Sequence, residues 1–153
     1  MMKTSLLLFV FTFALTAADP EGFVVWNAAD LKAVEKKLAA KVDGRQFASQ
    51  QLEKFGNHYT MLAYRQGSGS AELHETEADL FVVESGSAKL LVGGQIVNPK
   101  TTAAHEIRGT SIRGGEEKLL AVGDIVHIPA KVPHQLLLTS NEFTYFVLKV
   151  QEQ

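Results

Sequence analysis

The sequence predicts an all-β fold, an antiparallel sandwich or barrel with one N-terminal helix. Three observations predict it. Short apolar runs rich in Val, Ile, Leu and Phe recur between Tyr59 and Val150, each too short for a helix. Glycine and proline punctuate them, at Gly93-Gly94, Gly123 and Pro129 among other places. Apolar residues at helical spacing occur only after Asn27. Many short strands beside one terminal helix argue for a closed or stacked antiparallel sheet.

The elements follow in chain order. Lys3 precedes the apolar run Leu6 to Leu15, which is too short to span a bilayer, and the small residues Thr16-Ala17-Ala18 follow. Residues 1–18 therefore read as a secretory signal, cleaved after Ala18 or Ala17, and the mature chain is expected to be secreted or periplasmic, without a membrane anchor. Residues 19–58 hold the helix and a leading strand. Asn27 is a good N-cap with Asp30 in a box-like position, and Leu31, Val34, Leu38 and Val42 form the apolar stripe. Gly44 is the expected stop. The stripe is narrow, as suits a helix capping a barrel. From residue 59 to 150 the strand candidates are Tyr59 to Tyr64, Leu80 to Val83, Ala88 to Val92, Gln95 to Val97, Ile125 to Ile128, Leu136 to Leu138 and Phe143 to Val150. Ser85-Gly86-Ser87 and Gly93-Gly94 read as hairpin turns. Residues 99–117 are weakly patterned, and a connection that long is a candidate lid.

Composition narrows the function. The chain has 153 residues, enough for one domain, and a formal net charge of −2. Lys and Arg are scattered, so no nucleic-acid partner is expected. There is no cysteine, which excludes disulfides and thiolate metal sites. No Gly-x-Ser-x-Gly elbow is present, so a Ser-His-Asp hydrolase is poorly supported. Gly67-Ser68-Gly69-Ser70 reads as a turn, since no helix follows it to bind phosphate.

The most informative stretch is Gly123-Asp124-Ile125-Val126-His127-Ile128-Pro129-Ala130-Lys131-Val132-Pro133-His134. Ile125 to Ile128 reads as a buried strand that Pro129 ends, having no N–H for the ladder. His134 then stands at the entrance of the next strand. The spacing of Gly123, Pro129 and His134 resembles the second motif of the cupin superfamily, with Lys131 where that motif usually has glycine and Leu138 where it usually has asparagine. The stretch from Asp79 to Gly86 is similar to the end of the first cupin motif. Counting back by the family's spacing puts His74 and Glu72 where that motif carries its histidines, and Asp79 where it carries glutamate. The resemblance spans roughly residues 59 to 150. It implies a double-stranded β-helix, or jelly-roll barrel, and a homodimer.

Glu72 and His74 lie two apart on an expected strand and share a face. Together with Asp79 and His134 they make a mixed N/O donor set, suited to divalent Fe, Mn, Zn, Ni or Co. The resemblance assigns His74, Asp79 and His134 as metal ligands, with Glu72 as a fourth. Glu77 is an alternative to Asp79, though the spacing to Gly86 favours Asp79. His127 reads as a core or interface histidine, His105 as a surface residue on the long connection, and His58 carries no assigned role. Three function classes fit: a metal-dependent enzyme acting on a small molecule, a module binding a small ligand or metal without turnover, and a metal-free structural cupin. Cupins include dioxygenases, isomerases, decarboxylases and lyases, so the fold does not choose among reactions.

Overall fold

A computed structural model describes residues 18–152, and most of the expected signal peptide lies outside them. Among the described residues one helix, α1 (Ala28–Ala39), precedes eleven strands: β1 (Phe47–Lys54), β2 (His58–Arg65), β3 (Ala71–His74), β4 (Glu77–Val92), β5 (Gln95–Val97), β6 (Lys100–Ala103), β7 (Glu106–Gly109), β8 (Ser111–Arg113), β9 (Glu116–Leu120), β10 (Ile125–Ile128) and β11 (His134–Gln151). Every strand pairing is antiparallel. One path through the main sheet runs β1-β2-β11-β3-β7-β6, while β9 and β10 both pair with β4; β5 and β8 form a separate ribbon. The two long strands β4 and β11 run against each other along most of their length and carry the other strands on their flanks.

The Asn27 side chain caps α1 by accepting from the Asp30 N–H at 3.0 Å. Leu31, Val34 and Leu38 pack with Ala48, Leu62 and Tyr64 on β1 and β2, forming a cluster outside the barrel. The helix ends at Ala39 rather than at Gly44, and its C-cap Ala40 keeps a right-handed conformation. Inside the barrel, Phe81, Val83, Leu90, Leu136, Phe143 and Tyr145 belong to the main core.

Several expectations change. Ser85-Gly86-Ser87 is no hairpin: β4 runs through it, and Gly86, with φ +77°, sits in a bend where a Cβ would lie 2.0 Å from the Glu142 carbonyl oxygen. Only glycine lets β11 pass that close. Gly93-Gly94 is a turn, but it leads to β5, which pairs with β8 and not back onto β4. Leu136 to Leu138 and Phe143 to Val150 are one strand, interrupted by a register shift. The stretch 99–117 is no lid. It forms β6, β7, β8 and the start of β9, and β7 pairs along all of β3. His127 is exposed in the single chain, on the outer face with Ile125 and Pro129, so of its core or interface reading the core half is overturned.

Candidate metal centre

Register assembles the site. On β3, Glu72 lies opposite His134 of β11 on one side and opposite Arg108 of β7 on the other, while His74 lies opposite Glu106. On β4, Asp79 lies opposite Lys149 of β11. Directly opposed residues point to the same face of a sheet, so these charged and imidazole groups converge at one end of the barrel. All of them but His134 line a cavity of about 490 Å³, together with Arg65 and apolar side chains from β1, β2, β4 and β11.

One donor atom each from Glu72, His74 and His134 lies within 4.8 Å of the others. The His74 Nδ1 is hydrogen-bonded to the Glu106 carboxylate, which turns Nε2 inward. That Nε2 is buried and makes no hydrogen bond. Asp79 Oδ2 is 3.3 Å away, an ion-pair contact rather than a hydrogen bond. The His134 Nδ1–H donates to the Val132 carbonyl at 3.1 Å, so its Nε2 also faces the centre, 3.6 Å from Asp79 Oδ2. The His74 and His134 ring centroids are 5.3 Å apart.

The surrounding charges are paired. Glu72 Oε1 meets Arg108 at 2.9 Å and Arg65 at 3.4 Å, leaving Oε2 turned toward His74 at 3.8 Å. Arg108 also holds Glu106 at 2.6 Å. Lys149 Nζ binds Asp79 Oδ1 at 2.5 Å. Burial pulls the His74 imidazolium down, but the Asp79 and Glu106 carboxylates more than offset it and push its pKa up to about 9. For Asp79, burial raises the carboxyl and His74 with Lys149 outweighs that, holding it below its usual range. Burial pulls His134 down, so it is the neutral imidazole of the pair.

The architecture resembles solved structures at low identity. The TT1209 protein of Thermus thermophilus is 19% identical, covers 77% of this chain and 94% of its own, and has a TM-score of 0.54. A double-stranded β-helix domain protein of Klebsiella pneumoniae is 13% identical, covers 72% and 82%, and scores 0.53. The cupin domain of Schizosaccharomyces pombe Cnp3 is 6% identical, covers 70% and 66%, and scores 0.54. The chain has the cupin fold. No family model matches it, and neither does any curated protein. The shared shape says nothing of activity, so the site must be read from its own residues.

Within this cupin barrel the four residues expected from the sequence do meet. Glu72, His74 and His134 form the tight group, while Asp79 stands beside both imidazoles but is engaged by Lys149. Glu77 lines the cavity, with its carboxylate 4.0 Å from Lys149. His105 is outside the centre, on an exposed turn with Glu75. Sequence reasoning missed Glu106, Arg108, Arg65 and Lys149. Glu106 and Arg108 did carry a signal, two charges at period 2, inside the segment read as a connection. The usual glycine of the second motif also finds its physical reason. Lys131 occupies the left-handed region at φ +65°, and its N–H donates to the His74 carbonyl at 2.7 Å.

Proposed function

We propose that this is an exported cupin-fold protein that holds one divalent metal ion with Glu72, His74 and His134, and that it binds or transforms a small molecule in the adjoining cavity. One observation carries the reading. Three donor atoms converge within 4.8 Å, and one of them, His74 Nε2, is buried without a hydrogen-bond partner. An orphaned buried nitrogen is unfavourable, and a cation is the ligand that a Glu/His/His set suits. Asp79 is the nearest further carboxylate. A metal bound there would supply Lewis acidity to a small oxygen-bearing molecule. The chain's own residues would fix the two imidazoles, balance the Glu72 charge through Arg65 and Arg108, and shield the centre from bulk water. Exposed Leu119, Val122 and Ile125, at 77%, 64% and 69% exposure, support pairing of two copies.

A second reading has its own support. Lys149 already supplies a cation to Asp79, and Arg65 and Arg108 supply two to Glu72. A barrel neutralised in this way would serve as a metal-free binding or structural module.

Metal analysis of purified protein beside a His134→Ala variant separates the two. The metal reading expects stoichiometric metal in the native chain and its loss in the variant. Absence from both, after reconstitution with Fe, Mn, Zn, Ni and Co in turn, would leave the metal-free module.

A further inference from the structure

We propose that the cavity takes a small organic acid whose carboxylate is received by the Arg65 guanidinium. This deepens the ligand-binding half of the proposed function and rests on it. Arg65 lines the cavity, yet its side chain is only 8% exposed. Its Nε donates to the Tyr145 hydroxyl at 3.0 Å, and its plane lies over the Phe47 ring at 4.4 Å from the centroid. Both contacts fix the fork in one orientation. Among the described residues its only carboxylate contact is Glu72 at 3.4 Å, and Glu72 is held more closely by Arg108 at 2.9 Å. Among the described residues nothing accepts a hydrogen bond from Nη1.

A buried guanidinium cannot lose its proton, so its charge needs an anion nearby. Glu72 serves that need weakly, because two guanidinium groups share it. A planar, pre-oriented fork with a free N–H is matched by a second planar carboxylate. The cavity wall is mixed: Phe47, which lies against Arg65, and Met61, Phe81 and Val147 line it together with charged and hydroxyl side chains. The apolar members suit the hydrocarbon part of such an acid, and the carboxylates of Glu77, Asp79 and Glu106 are already matched by Lys149, Arg108 and His74. A cavity of about 490 Å³ holds such a molecule with its acid group at Arg65.

The Gly67-Ser68-Gly69-Ser70 turn gains a role here. The Gly69 carbonyl accepts from Gln135 at 2.8 Å and its N–H donates to Leu136, so the turn is pinned. A Cβ on Gly69 would lie 2.9 Å from Arg65 Nη1. The missing side chain leaves the guanidinium its place, and Gly69→Ala would displace the held fork without straining the backbone at residue 69.

The test measures binding of benzoate and hexanoate beside their neutral amides, benzamide and hexanamide, by calorimetry. Metal content is read on the same samples. The acids are expected to bind at least about tenfold more tightly than the amides in the native protein, since a hydrogen-bonded charge is worth that much. Arg65→Lys keeps the charge but loses the fork, and should erase most of that preference at unchanged metal content. Should Arg65→Lys fail to fold by circular dichroism, Gly69→Ala is read in its place, with the same loss expected. Equal affinity for acid and amide, no binding of either acid, or a preference untouched in the variant that folds would each overturn the proposal. A metal-loaded protein indifferent to acids sinks this inference alone. A metal-free protein that still selects acids through Arg65 keeps it and sinks the metal centre.

Discussion

The two walls that present the imidazoles fix them by different means. On the β3 wall, a side chain holds His74: the Glu106 carboxylate takes its Nδ1, and Arg108 steadies that carboxylate. On the β11 wall, backbone holds His134: its Nδ1–H reaches the Val132 carbonyl two residues away. Both leave Nε2 facing inward. Their protons differ. Asp79, with the Glu106 frame, outweighs burial and raises His74 to about 9, whereas burial lowers His134. Nearby carboxylates therefore stabilise a proton on the His74 nitrogen that a metal would need, while burial keeps His134 neutral even though its Val132 hydrogen bond acts the other way. The same ligand type is thus presented once with a proton to displace and once without.

The largest test removes either imidazole. His74→Ala and His134→Ala each delete one donor of three. If metal affinity of roughly 10–16 kcal/mol is shared over the three donors, each loss costs about 3–5 kcal/mol, or more than a hundredfold in affinity. Competition titration against a chelating dye measures it. Retained affinity in both variants would end the idea that the walls face a common ion.

Lys149→Met comes next. Lys149 neutralises Asp79, which stands 3.3 Å and 3.6 Å from the two imidazole nitrogens. Both partners are well buried, so breaking the pair should destabilise the metal-free protein by about 3 kcal/mol. The freed carboxylate should also raise metal affinity. Thermal melts with and without metal read both effects: a lower melting temperature without metal and a larger rise on adding it. An unchanged melt would show that Lys149 does not hold Asp79 in solution.

Much of this was legible in the chain, and the gaps have physical causes. Pro129 ends β10 just after Ile128, and His134 opens β11, as the missing N–H and the spacing implied. Glu72 and His74 share a face because a strand's period is two. Asp79 was favoured over Glu77, and Asp79 is the one beside the imidazoles. What failed was pairing between distant segments. Glu106 acquires its role only because β7 lies against β3 in one register, which local residue pattern does not encode. Gly86 signals a left-handed residue, but a bend within a strand and a hairpin turn use the same glycine conformation. The partners of Lys149 and Arg65 are likewise set by β2, β4 and β11 meeting across the barrel.

Glu106→Gln tests the charged frame alone. Glutamine keeps an oxygen that can accept from Nδ1–H, so ring orientation should largely survive while the charge is lost. Replacing such an outer partner lowers metal affinity by about 10- to 100-fold. No equivalent substitution exists on the other wall, where the acceptor is backbone. Affinity equal to that of the native protein would mean that the charge on Glu106 contributes nothing and that orientation alone matters.

The smallest effect belongs to a histidine outside both walls. His105 makes a bridge of 3.2 Å to Glu75, and both side chains are widely exposed, at 63% and 46%. Solvent screens such a pair, so its contribution to stability is near zero. Its backbone sits at φ +61°, which asparagine tolerates better than most residues, so His105→Asn removes the imidazole without adding strain. Melting temperature should shift by no more than a degree or two, and metal affinity by less than twofold. A larger loss of metal would place His105 in the centre after all and undo the division between framed and free imidazoles.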